Sequence, residues 1–197
     1  MEADWSVALE ADDPVIAVPW AAPEGDGRGG CRFVDLRLGA HVIEEIEEAR
    51  ARPALRSALL LLNGATSPLW SAKCDAWTSS ADEGAEPFDP HEMDATPGET
   101  AFGSGCYIDL LPREPLLLSS FEGQERWLRA VTEALRNIPA RAARVELVLR
   151  RAEVEGVPGF GLTWFVEGCG LSAHHAEKRW SEALNLALPA IMEVRPL

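Results

Sequence analysis

The sequence predicts one α+β domain spanning residues 1–197. A mixed or antiparallel sheet carries helices mainly on one face, and the second half follows ferredoxin-like β-α-β-β-α order. Three observations lead there. Short segments with apolar residues at every second position alternate with longer segments whose apolar residues recur every three to four positions. The order of these segments after residue 103 is strand, helix, strand, strand, helix. No Pro/Gly/Ser-rich linker divides the 197 residues, a length that can bury a self-sufficient core.

Residues 1–13 are acidic and weakly patterned, which suits a loose start or an edge strand. Val15 to Trp20 is β-branched and interrupted by Pro19, as at a strand end or sheet edge. Pro23 to Gly30 is rich in glycine and reads as a loop, with Cys31 to Arg37 returning as the second strand of a hairpin. From His41 to Arg50 a stripe of Val42, Ile43, Ile46 and Ala49 predicts a helix with its glutamates in water. Pro53 then suits the first turn of a second helix running to Leu62 and closed by Asn63-Gly64.

Leu69 to Trp77 alternates strictly, so Trp70, Ala72, Cys74 and Ala76 are expected on one face of a strand. Ser71, Lys73, Asp75 and Trp77 are expected on the other. The pattern then disappears, and residues 78–103 are expected to form a long acidic loop. From Asp75 to Pro112 the chain has nine acidic residues and no Lys or Arg. Loops of this length inside a compact domain are functional or disordered.

Ser104 to Leu111 resumes as a strand with Cys106, Ile108 and Leu110 on one side. Ser119 is placed to cap the next helix, with Glu122 completing a capping box. Phe121, Leu128, Val131, Leu135 and Ile138 form its stripe, and Pro139 ends it. Val145, Leu147 and Leu149 mark a strand reaching about Val154. After a turn at residues 155–159, Leu162, Trp164 and Val166 mark its return. Gly168-Cys169-Gly170 is expected to break that strand, and Ser172 to cap a last helix that Pro189 ends or kinks.

Composition narrows the function classes. A net charge of −14 opposes any surface that must meet a phosphate backbone, so nucleic acid is not an expected partner. The purest apolar run, Ala58 to Leu62, is far short of a membrane span, so no membrane association is expected. The acidic opening Met1-Glu2-Ala3-Asp4 does not resemble a signal peptide, and a cytoplasmic address is expected. Four cysteines without a Cys-x-x-Cys pair are then expected to be free thiols.

No P-loop, dinucleotide, zinc, kinase or Gly-x-Ser-x-Gly signature is present, and neither a cofactor nor a metal is expected. Asp89, His91, Glu92 and Asp94 crowd a short stretch, but their spacing matches no metal-binding loop. Gly168-Cys169-Gly170-Leu171-Ser172 leads into a helix where exposed N–H groups would lower the Cys169 pKa, with His174 and His175 nearby. A tight connection needs glycine in any case.

The strongest candidate is a polar sheet face. Lys73, Asp75 and Trp77 share one side of their strand, and Tyr107 and Asp109 share one side of theirs. If the two strands pair, these side chains gather beneath the acidic loop, where they could bind a small polar ligand or act as an acid–base pair. A one-sided antiparallel sheet alternates in the same way. The leading expectation is therefore a non-catalytic module that binds a protein partner or itself. The alternative is a small-molecule-binding protein or enzyme using Lys73, Asp75, Tyr107 and Asp109.

Overall fold

The computed structural model describes residues 1–21, 32–80 and 100–193. Its elements follow in order β1 (Glu2–Ala8), β2 (Ile16–Val18), α1 (Glu47–Ala51), α2 (Pro53–Leu62), β3 (Leu69–Ser80) and β4 (Phe102–Pro112). They continue through α3 (Pro115–Leu118), α4 (Phe121–Arg136), β5 (Ala143–Val154), β6 (Val157–Gly170) and α5 (Ala173–Glu193). The six strands form one mixed sheet, five of them in the order β1-β5-β6-β4-β3 and β2 paired with β5 off that path. Strands β1 and β2 both run parallel to β5 along successive stretches of it, while the other pairings are antiparallel. The α+β class and the β-α-β-β-α order of the second half are as the periodicities predict. The crossover β4–α4–β5 leaves a gap that β6 fills, which is the split arrangement of ferredoxin-like units.

The main core lies between the sheet and α2, α4 and α5. Val145, Leu147 and Leu149 of β5, Leu162, Trp164 and Val166 of β6, and Cys106, Ile108 and Leu110 of β4 face the helices. They meet Leu55, Leu59 and Leu62 of α2, Leu128, Val131 and Leu135 of α4, and Trp180, Ala183, Leu184 and Ala187 of α5. The β4, β5 and β6 residues and those of α4 are the predicted stripes, and most of the residues in this core are fully buried. A second, smaller cluster lies on the opposite face at one end, where Ile16 and Val18 of β2 meet Trp70, Ala72, Leu111 and Ala152. Among the described residues no helix is long and apolar enough to cross a membrane.

Several local expectations need correction. Strand β3 is not strictly alternating. Its register against β4 shifts between Ser71 and Lys73, so Ala72 falls outside the pairing at a β-bulge and Lys73 comes opposite Asp109. Trp70 and Ala72 therefore join the outer cluster, while Cys74 and Ala76 pack on the helix side. Ser71 turns away from Lys73, and both its backbone and its hydroxyl pair with Asn63. Strands β3 and β4 also extend to Ser80 and from Phe102, shortening the predicted loop; residues 81–99 lie outside the described residues.

The expected return strand at residues 31–37 is a single bridge, Ala21 to Arg32, followed by a 3₁₀ turn at Leu36–Leu38. Asp35 causes the turn. Its carboxylate accepts the Arg37 backbone N–H at 2.9 Å and holds the Arg37 side chain through two further bonds, replacing a strand ladder with a local one. The expected helix at 41–50 is a 3₁₀ stretch at Ala40–Glu45, a break at extended Ile46, and the short α1. β-Branched Val42, Ile43 and Ile46 lose side-chain freedom in a helix, and clustered glutamates repel one another.

Ser120, not Ser119, caps α4, its hydroxyl accepting the Gly123 N–H at 3.0 Å. Ser172 accepts the His175 N–H at the start of α5, as its position predicts. Pro189 does not end α5, which runs on to Glu193. The β5–β6 turn is tight at Glu155-Gly156, where φ values of 52° and 83° suit a hairpin whose strands twist together.

Candidate functional site

Antiparallel partners point to the same side of a sheet, so the register of the central strands assembles the outer face row by row. One row sets Lys73 of β3 opposite Asp109 of β4, Thr163 of β6 and Val148 of β5. The next sets Asp75 opposite Tyr107, Phe165 and Glu146. A third sets Trp77 opposite Gly105, Glu167 and Arg144. All the side chains singled out from sequence, Lys73, Asp75, Trp77, Tyr107 and Asp109, therefore share one face. The acidic stretch expected above them falls at residues 81–99, outside the described residues, as do Asp89, His91, Glu92 and Asp94.

Asp109 is the centre of the group. It is only 9% exposed, although none of α2, α4 and α5 packs on this face. Thr163 donates its hydroxyl to Asp109 Oδ1 at 2.6 Å, and Arg150 Nε donates to Thr163 Oγ1 at 2.9 Å. Burial raises the Asp109 carboxyl above its ordinary range, while the Thr163 bond and the charges of Lys73 and Arg150 pull it partly back. The exposed Lys73 ammonium lies 5.3 Å from the centre of the Trp20 ring and 6.0 Å from that of Tyr107. Trp20 is itself fixed, its indole N–H donating to the Ala72 carbonyl at 3.1 Å.

The aromatic row is equally ordered. Tyr107 and Phe165 stand with ring centres 6.0 Å apart and planes tilted by 49°. Trp77 lies over Gly105 so closely that a Cβ there would come within 2.7 Å of the indole. Beyond it Arg144 and Glu167 form an ion pair at 2.9 Å. Thr163, Arg150, Phe165 and Glu146 were not singled out from sequence. The signal existed, because Thr163 and Phe165 occupy the outward positions between Leu162, Trp164 and Val166.

The raised Asp109 carboxyl has a consequence for stability. A native pKa above the unfolded value means that the native state holds its proton over a pH range where the unfolded chain has lost it. Stability then falls as pH rises through that range, and the penalty is complete above the native pKa. Asp109→Asn is therefore expected to be more stable than wild type at pH 7. The advantage should vanish below the ordinary value of 3.8, as a urea titration at each pH would show.

A second polar cluster lies on the helix side, where the β3–β4 hairpin meets α5. Arg52, between α1 and α2, donates to Ser104 Oγ at 2.9 Å, Glu177 Oε2 at 3.0 Å and Thr78 Oγ1 at 2.9 Å. Ser104 donates to the same Glu177 oxygen at 2.6 Å, and Arg52 lies 5.1 Å above the Trp180 ring. With Ser104 1% exposed, this cluster ties elements together rather than meeting a ligand.

The glycine stretch at 168–170 proves to be strand, not loop. Gly168 and Gly170 admit α5 against the sheet: a Cβ on Gly168 would fall 2.1 Å from the Trp180 nitrogen. Cys169 is 2% exposed beside Ala142, and burial raises its thiol pKa, the opposite of what a nucleophile at a helix start requires. Cys74 and Cys106 are also free, and burial pushes Cys74 up and Cys106 to about 12. Native protein is expected to alkylate slowly at Cys74, Cys106 and Cys169, and rapidly at all three once unfolded without reductant. Mass spectrometry of the modified peptides reads this directly.

Among the described residues no group of three or more His, Cys, Asp or Glu side chains is arranged to hold a metal. No family model matches the chain, and no curated protein or solved structure matches it.

Proposed function

We propose that the chain is a non-catalytic binding module whose outer sheet face, around Lys73, Asp75, Tyr107 and Asp109, holds a small polar molecule. The observation that carries this reading is Asp109: a carboxyl 9% exposed, bonded to Thr163 and set opposite Lys73. An apolar residue there would extend the neighbouring cluster of Leu111 and Trp70 and avoid the desolvation of a carboxyl. Carboxyls kept in such surroundings beside charge partners concentrate at functional sites. Trp20 and Tyr107 flank the exposed Lys73 cation.

The protein-partner reading draws on the exposed apolar side chains Leu38, Leu116 and Val157. Singly exposed apolar groups are ordinary on soluble surfaces, so they support it less than Asp109 supports a small ligand.

The test is a thermal-shift and calorimetric screen of chemically distinct probes (succinate, glucose, arginine and adenine) against wild type, Asp109→Asn and Lys73→Met. At least one probe should raise the wild-type midpoint and lose most of that shift in both variants. Equal shifts in all three proteins, or none with any probe, would overturn the reading.

A further inference from the structure

We infer that the outer edge of β3, from Cys74 to Thr78, takes an extended, lysine- or arginine-bearing peptide as an added strand beside the glutamates of α1. Two observations carry this: an open stretch of sheet edge, and the charge that borders it. The edge is a second site, apart from the outer face around Asp109.

The sheet ends at β1 on one side and at β3 on the other. A strand edge offers a row of N–H and C=O groups to any further strand, and folded chains cap such rows. β1 is capped: Arg136 Nε donates to the Ala3 carbonyl at 2.9 Å, and the Asp4 carboxylate accepts the Trp5 N–H at 2.8 Å. The first part of β3 is capped as well. Asn63 Oδ1 accepts the Ser71 N–H at 3.1 Å, and Trp20 donates to the Ala72 carbonyl at 3.1 Å.

Past the bulge the edge opens. Ser104 of β4 donates its hydroxyl to the Trp77 carbonyl at 3.4 Å, so Trp77 turns its carbonyl toward β4. Alternation then turns the peptide groups of Cys74, Ala76 and Thr78 outward. The Ala76 N–H meets the carboxylate of its neighbour Asp75 at 2.8 Å, and the added strand does not need that group. It pairs with the N–H and C=O groups of Cys74 and Thr78 and with the Ala76 C=O. No strand lies beyond them among the described residues. A partner segment of about five residues spans this stretch, and its main chain supplies the hydrogen bonds whatever its side chains are.

Charge selects the side chains. α1 packs beside β3 and carries Glu47 and Glu48. Glu44 and Glu45, just before it, are held by Arg56 and Arg32, whereas Glu47 and Glu48 have no ion pair among the described residues. Burial pushes the Cys74 thiol up and the Glu48 charge adds to it, so this carboxylate stands near the edge. Arg52, which reaches Thr78, is already paired with Glu177. Cys74, Ala76 and Thr78 carry short side chains, which leaves a long basic side chain on the added strand room to reach Glu48. A second copy of this chain would bring its own net charge of −14, so self-pairing at this edge is opposed where a basic segment is favoured.

The experiment titrates the intact chain with the blocked peptide acetyl-(Lys-Thr)₄-amide, read by calorimetry and by backbone amide hydrogen exchange. Its counterparts are acetyl-(Glu-Thr)₄-amide and the fully N-methylated lysine peptide, which keeps every charge but donates no backbone hydrogen bond. The lysine peptide should bind and slow exchange at Cys74 and Thr78. Both counterparts should bind at least about tenfold more weakly, the size of a few lost hydrogen bonds. Joint Glu47→Gln and Glu48→Gln substitution should weaken the lysine peptide about threefold or more, the size of one or two exposed ion pairs. That variant is first checked for a thermal midpoint near wild type.

Failure of the lysine peptide to bind, equal binding of its N-methylated form, or unchanged binding in the glutamine variant overturns the inference. So does binding that leaves exchange at Cys74 and Thr78 as it was. Slow exchange at both amides in the free chain overturns it too, showing the edge covered by the chain itself or, where protection rises with protein concentration, by a second copy.

Discussion

Gly168→Ala is expected to lower stability by about 3 kcal/mol or more, a large share of the roughly 5–15 kcal/mol that keeps a typical domain folded. Gly168 sits on the helix side of β6, and the new methyl would lie 2.1 Å from the Trp180 nitrogen, 2.6 Å from its Cα and 2.7 Å from the Arg179 carbonyl carbon. All three are backbone atoms, so no side-chain rotation relieves the clash. Helix α5 must lift instead, loosening Ala176, Trp180, Ala183, Leu184, Ala187 and Ile191, which are fully buried against the sheet. Gly156→Ala is the informative contrast. Its φ is 83°, but nothing lies within 4 Å of the added carbon, so only backbone strain of about 1 kcal/mol applies. Urea unfolding separates the two, and a Gly168→Ala loss as small as that of Gly156→Ala would show that α5 does not depend on this close approach.

Arg52→Ala is expected to cost about 2–3 kcal/mol, because it strands several partners together. Ser104 and Glu177 would keep their mutual bond, but the Glu177 carboxylate would lose its only ion pair among the described residues. Thr78 and the face of Trp180 would lose contacts as well. Arg52→Lys should recover little of the loss, since an ammonium cannot reach Ser104, Glu177 and Thr78 from one fixed fork. A double-mutant cycle with Ser104→Ala should give a coupling above about 1 kcal/mol. Additive losses would mean that the cluster is a set of independent contacts.

The large elements were legible because burial on one face imposes a period on the sequence. Leu128–Val131–Leu135 and Val145–Leu147–Leu149 each read correctly from spacing alone, and α2 was placed by Pro53 at its start and Asn63-Gly64 at its end. The polar face was legible in the same sense, since Lys73, Asp75 and Trp77 must share a side of one strand, and Tyr107 and Asp109 a side of the next. Their register was not. Placing Lys73 opposite Asp109 depends on the bulge at Ala72, and no local pattern announces a residue inserted into one strand.

Other misreadings have the same origin. Glycines at 168 and 170 look like a loop when their cause, the close seating of α5, is remote in sequence. The Asp35–Arg37 pair turns a stretch of alternating apolar and polar residues into a 3₁₀ turn through side-chain bonds that periodicity does not weigh. Thr163 and Arg150 were overlooked because each is an ordinary outward residue until β4, β6 and β5 are set side by side.

The most direct test of the binding face is amide chemical-shift mapping of the ¹⁵N-labelled chain, titrated with whichever of succinate, glucose, arginine or adenine raises its thermal midpoint. The account predicts that saturable shifts concentrate at residues 73–77, 105–109 and 163–167, and that Asp109→Asn abolishes them. Shifts concentrated on α4 and α5, or unchanged in Asp109→Asn, would contradict it.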